Sequence, residues 1–118
     1  MAVQTKTKRL AAQASSGVIG TADVLVDNGT TAGDEIVTST IIVVNTTSAA
    51  QTFKMGTSTT TSFATAGLIA PLNDLGPYEF WTFTLGLCLD VSARYLLFSG
   101  SDAGVVAQVH GARTTGNV

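Results

Sequence analysis

Residues 39–56 read STIIVVNTTSAAQTFKMG: a run of branched side chains, a cluster of small polar residues, then a second alternating run. Val, Ile and Thr are stiff at χ1 and fill the surface of a pleated sheet better than the face of a helix. The first run therefore predicts a strand. Asn45, Thr46, Thr47 and Ser48 carry side-chain oxygens that bond to nearby backbone and compete with a ladder, which predicts a turn there. The apolar residues then resume over 50–55 as the start of a second strand.

Working outward, alternation from Val37 puts Val37, Ser39, Ile41 and Val43 on one face and Ile36, Thr38, Thr40, Ile42 and Val44 on the other. Branched residues on both faces suit a strand inside a sheet, one face on the core and the other partly covered by a second sheet or a neighbouring subunit. The same grammar recurs along the chain. Strands are expected at 7–13, 21–27, 34–44, 50–55, 67–70, 78–87, 94–99 and 105–111. Turn signals separate them: Asp27-Asn28-Gly29, Ala32-Gly33-Asp34, Asn73-Asp74 with Gly76-Pro77, Gly86 with Asp90, and residues 101–104.

Helical patterning is weak. The best candidate, SFATAGLIAPL at 62–72, is limited to a turn by Gly67 and Pro71. A single sheet of such strands would leave an apolar face wet, so the expectation is an all-β fold, an antiparallel β-sandwich of about eight strands, jelly-roll-like or Ig-like. Residues 1–15 form an N-terminal arm and first strand, and 16–118 a single sandwich domain.

With 118 residues, 45% hydrophobic and only 12% charged, the chain can build a core but must cover its surface mostly with Thr, Ser, Asn, Gly and Ala. A typical soluble domain carries about twice that charged share. This balance points to a protein that works packed against others. A net charge of −2 gives no electrostatic footprint for nucleic acid, which is not expected as a partner. Lys6, Lys8 and Arg9 are nevertheless three of the six cations. They could touch an acidic partner surface from a basic arm, or belong to a solvated terminus. No apolar run approaches the roughly 20 residues a membrane span needs, and residues 1–20 lack the apolar centre of a signal peptide.

Chemistry-bearing groups are sparse. His110, the one histidine, ends the run VVAQVHG and has the setting of a surface or interface polar group. Without a second histidine or a paired cysteine no zinc spacing exists, and the acids at 23, 27, 34 and 35 do not follow a calcium-loop pattern. The lone Cys88 sits in apolar LGLCLDV and forms no internal disulfide. No nucleophile elbow, phosphate loop or distinctive carboxylate pair is present. An enzyme is not expected, nor a metal or other cofactor. The triplets at Asn28 and Asn45 match the glycosylation pattern but sit where turns want Asn.

The richest stretch is GPYEFWTFTLGLCLDV at 76–91. Alternation sets Tyr78, Phe80, Thr82 and Thr84 against Glu79, Trp81, Phe83 and Leu85, and the second row is the more core-like. Exposed aromatics beyond the core's needs mark contact sites. Lys6, Lys8, Arg9, Tyr78, Phe80 and Trp81 are therefore the candidate partner contacts.

The strings TSTIIVVNTTSAAQTFKM and LIAPLNDLGPYEFWTFTLGLCLDVSARYLLFSGSDAGVVAQVHG together resemble small β-sandwich structural proteins of tailed bacteriophages. The matching features are the strand and Asn-Thr turn at 41–48, the Leu-X-X-Leu-Gly approach at 72–76, the Gly-Leu-X-Leu ending at 85–89 and the closing strand at 105–111. The resemblance implies a virion component made in the host cytoplasm, above all a head-decorating (cement) protein bound to the major capsid protein. A neck, tail or baseplate accessory touching portal or tail proteins is the other position it implies. A homo-oligomer is expected, with a trimer as one arrangement. A carbohydrate-binding receptor-recognition domain stands as the alternative, with Trp81 and Tyr78 as its ring platform.

Overall fold

The computed structural model describes residues 3–116 and, within them, nine strands with one 3₁₀ turn at Thr65–Gly67. The strands are β1 (Val3–Ala14), β2 (Asp23–Asp27), β3 (Glu35–Asn45), β4 (Gln51–Ser58), β5 (Leu68–Leu75), β6 (Phe80–Phe83), β7 (Cys88–Leu89), β8 (Tyr95–Gly100) and β9 (Val105–Gly116). They form two antiparallel sheets. One runs β1-β9-β3-β6, with β7 also paired to β3; the other runs β2-β8-β4-β5.

The sheets pack as a sandwich because each offers one apolar face. Ile36, Ile41, Val43, Leu89, Val105, Ala107 and Val109 come from the first, and Leu25, Val26, Phe53, Met55, Ala70, Leu75, Leu96 and Phe98 from the second. Burying one such side chain contributes about 1.5–3 kcal/mol, so this shared core outweighs any polar contact as the source of stability. The expected antiparallel sandwich is the observed fold, with nine strands in place of eight.

The extra strand has a local cause. The strand expected over 78–87 is cut to β6 at Phe80–Phe83, and the extra strand, β7, starts at Cys88, just past its expected end. Opposite the gap, β3 carries a bulge between Thr38 and Thr40 in its pairing with β9. Thr38 bridges the interruption, donating from Oγ1 to the Leu85 carbonyl at 2.7 Å and accepting from the Leu87 amide at 3.0 Å, while its own amide bonds the Leu87 carbonyl. A buried threonine thus replaces the missing ladder rungs.

The same bulge overturns the expected facing of β3. An extra residue shifts the alternation by one. Ile36 and Thr38 point inward before Ser39, and Ile41, Val43 and Asn45 point inward after it. The faces read by simple alternation are therefore spliced. Val37 joins Thr40, Ile42 and Val44 on the outside.

The first strand begins at Val3, ahead of the expected 7–13, and pairs with β9 up to Ala14. The basic stretch expected as an arm is thus drawn into the sheet. Ser15 then ties the two sheets together, its Oγ donating to the Gly100 carbonyl at 2.9 Å and accepting from the Gly100 amide at 2.7 Å.

Candidate interaction surface

The two outer faces of the sandwich differ. Over the β2-β8-β4-β5 sheet, loop residues reach back onto the strands: the Gly20 amide donates to Ser99 Oγ at 3.2 Å, and the Phe63 ring lies 4.8 Å from Lys54 Nζ. Ser99 and Leu97 on this side are fully buried. The outer face of the β1-β9-β3-β6 sheet has no such cover. Cross-strand register lays out its rows: Ala14, Val106, Val44 and Phe80; then Ala12, Gln108, Ile42 and Thr82; then Arg9, His110 and Thr40. Val37 and Cys88 stand opposite each other further along. On this face the Ser39 hydroxyl donates to the His110 carbonyl at 3.2 Å.

The corner beside Phe80 is a rigid turn. Tyr78 has φ 57°, the one non-glycine residue with positive φ among those described, and its side chain is 68% exposed. Its backbone is held from both sides. The Tyr78 amide donates to the Thr47 carbonyl at 3.2 Å, the Glu79 amide to the Gly76 carbonyl at 3.1 Å, and the Asn45 amide to the Glu79 carbonyl at 2.9 Å. The Glu79 carboxylate accepts from the Gly76 amide. Beneath, the fully buried Asn45 donates from Nδ2 to the carbonyls of Ala49 at 2.7 Å and Gly76 at 3.0 Å, while its Oδ1 accepts from the Thr47 amide at 2.9 Å. The Asn45 predicted as a turn former is one, and it also joins that turn to the next.

The aromatic residues divide between two tasks. Phe80, 66% exposed, points outward as the alternation predicted. Trp81 and Phe83 turn inward and meet the buried Phe53 ring edge-on, centroids 6.0 and 6.1 Å apart. Trp81 remains 41% exposed at the sandwich rim, but its ring packs on Phe53 and Phe83. Tyr78 lies in the turn and does not share the strand face with Phe80, contrary to the expected row, because β6 starts only at Phe80. Arg9 is exposed at the opposite margin, next to His110 in register. Lys6 and Lys8 pair through their backbones with Arg113 and Gly111, and their side chains lie outside the described residues.

Several charged groups in the described structure hold the fold together. Arg94 Nε bonds Asp27 Oδ1 at 2.6 Å, and that hydrogen bond, helped by the Gly29 amide, holds the Asp27 carboxyl below its ordinary range. Asp90 is likewise lowered by the amides of Ala93 and Ser92, whose loop it closes. Arg113 spans from β9 to the 28–34 loop, bonding the Asn28 carbonyl at 3.2 Å and lying 3.7 Å from Asp34 Oδ2. Desolvation, then the carboxylates of Glu35 and Asp90, push the Cys88 thiol up, away from a reactive thiolate.

His110 sits mid-strand in β9, half-buried and outward, with Arg9 and Thr40 as its register neighbours and no carboxylate among them. No group of three or more His, Cys, Asp or Glu is placed to hold a metal ion among the described residues. No helix in them is long and apolar enough to cross a membrane. Both Asn-X-Thr asparagines are fully buried, Asn28 donating to the Asp34 carbonyl at 3.2 Å, so their amides are out of reach of a glycosylating enzyme once the chain is folded.

What sequence reading missed is the bare sheet face itself. Ala12, Ala14, Ile42, Val44 and Val106 share it only because of the register and the Ser39 bulge. The alanines at 11, 12 and 14 were the available signal. Neither family models nor curated proteins give a match to this chain.

Proposed function

We propose that this chain is a non-enzymatic virion structural protein of a tailed bacteriophage, acting as a head-decorating protein that binds and stabilises the capsid. The observation that carries the reading is the turn at Tyr78. A left-handed backbone costs a non-glycine residue about 1–2 kcal/mol, and such strain persists only where the surroundings fix it. Here the ring it carries is 68% exposed and the turn is fixed by hydrogen bonds on both sides. A glycine would fill that position at less cost, so an exposed tyrosine there is best accounted for by contact with a partner.

Phe80 extends the same corner, and the low charge of the chain suits a surface that is covered in use. The resemblance of residues 41–48, 72–76, 85–89 and 105–111 to phage sandwich proteins supplies the partner class. The glycan-platform alternative loses support, since the Trp81 ring is engaged with Phe53 and Phe83.

The test is co-sedimentation of purified protein with undecorated heads, and separately with tails. Stoichiometric binding to heads, lost in Tyr78→Ala, is expected. Binding to tails alone moves the protein to the neck or tail accessory role, and binding to neither refutes the virion reading.

A further inference from the structure

We infer that Asn28-Gly29 is a deamidation site that folding shuts, and that its reaction in an opened chain makes the opening irreversible. The inference rests on the 27–34 loop alone and does not depend on the virion reading.

The pair is reactive by sequence. Of the four asparagines, Asn28 is the one followed by glycine, whose amide nitrogen has no side chain beside it to hinder closure on the asparagine. In that reaction the Gly29 nitrogen attacks Asn28 Cγ and gives up its proton to solvent, and Nδ2 leaves as ammonia. Water then opens the cyclic imide at either of its two C–N bonds, leaving aspartate or isoaspartate. The turn requires this glycine, since its φ is 84° while nothing lies within 4 Å of where a Cβ would stand. A positive φ, not crowding, demands it.

The fold restrains the reacting atoms. The Gly29 amide donates to Asp27 Oδ1 at 2.8 Å, and Arg94 grips that carboxylate at 2.6 and 2.9 Å. Asn28 Nδ2 donates to the Asp34 carbonyl at 3.2 Å, and the Asn28 carbonyl accepts from Arg113 at 3.2 Å. The Asn28 amide bonds the Arg94 carbonyl at 2.9 Å. Attack on Cγ places negative charge on Asn28 Oδ1, which is buried and accepts no hydrogen bond among the described residues. An oxyanion there has no protein donor to steady it, the reverse of what a catalytic site supplies. Reaction therefore waits until the loop or the whole chain opens.

The product does not fit the closed loop. An acid at position 28 sets an acceptor oxygen where Nδ2 donated to the Asp34 carbonyl, at a site with no exposure. Arg113, 3.7 Å from Asp34 Oδ2, already balances that carboxylate. A buried charge with no partner of its own disfavours closure, so an opened chain that has reacted stays open.

Peptide mapping by mass spectrometry tests this on the full chain, native and unfolded in guanidinium, aged in otherwise identical mildly alkaline buffer. Deamidation at position 28 should run at least about tenfold slower in the native sample, a modest demand on a domain whose folded form far outnumbers its open one. Chains aged unfolded and then diluted should regain native circular dichroism only in the fraction whose Asn28 is intact. Asn28→Asp should lower the folding equilibrium constant about tenfold or more, through the lost donor and the buried charge. Equal rates in the two states, refolded chains as heavily deamidated at position 28 as the sample before dilution, or an Asn28→Asp protein as stable as wild type overturns the inference.

Discussion

Replacing Tyr78 by glycine should make the protein more stable and less able to bind. At φ 57° the tyrosine backbone carries about 1–2 kcal/mol of left-handed strain, which glycine does not feel. Glycine gives back about 0.5–1 kcal/mol through the greater freedom of the unfolded chain. With a side chain 68% exposed, little packing is lost. The net gain is about 0.5–1 kcal/mol, or about 2–4 °C in Tm for a domain of this size. Tyr78→Ala keeps the strain and removes the ring, so it should fall within about 0.5 kcal/mol of the wild type, as surface changes usually do. Urea and thermal unfolding of the three proteins, run beside head co-sedimentation, measure both sides of the trade. A Tyr78→Gly protein destabilised by more than about 1 kcal/mol refutes the reasoning, because the ring would then be supporting the fold instead of being displayed, against the usual range for an exposed site.

Phe53→Ala should cost about 3–5 kcal/mol, the usual loss for an emptied phenylalanine site, and strip Trp81 and Phe83 of their edge-on partner. Near-ultraviolet circular dichroism of the sole tryptophan reports the loss, and a cost under about 1 kcal/mol counts against the aromatic cluster as a joint between sheets. Gly111→Ala drives a methyl group onto the Val37 carbonyl and to 2.9 Å from Thr38 Cα at the β3 bulge. It should destabilise by about 3 kcal/mol, the upper end for overpacking, and a neutral result in chemical denaturation would mean the bulge can shift.

The depressed Asp27 carboxyl has its folded pKa below its unfolded one, so its pairing with Arg94 adds stability above the ordinary carboxylate pKa and loses it as pH falls through the folded value. Asp27→Asn should therefore unfold at lower temperature than the wild type at pH 7. The gap should narrow as pH falls below the ordinary carboxylate range and through the lower folded value, where the wild-type carboxyl takes up its proton. A gap that does not change with pH would show that the pair carries no proton-linked stability.

Alternation and turn chemistry made the strands legible. Runs such as 36–44 and 105–109 hold branched residues that suit only a pleated, buried setting, and the Asn-, Gly- and Asp-containing clusters between them mark the chain reversals. Those are local properties, set by each residue's own backbone preferences and its nearest neighbours in the chain. Which face of β3 looks outward depended on one inserted residue at Ser39, whose bulge is defined only against β9. The break between β6 and β7 depended in turn on Thr38 reaching across to Leu85 and Leu87. The fate of Trp81 hung on Phe53, 28 positions earlier and in the other sheet. The bare face exists because the loops fold back over one sheet and leave the other open. Period-two patterning says that a strand has two sides. Only pairing across distant segments decides which side is kept dry, since that choice is made by shared burial and not by any residue alone.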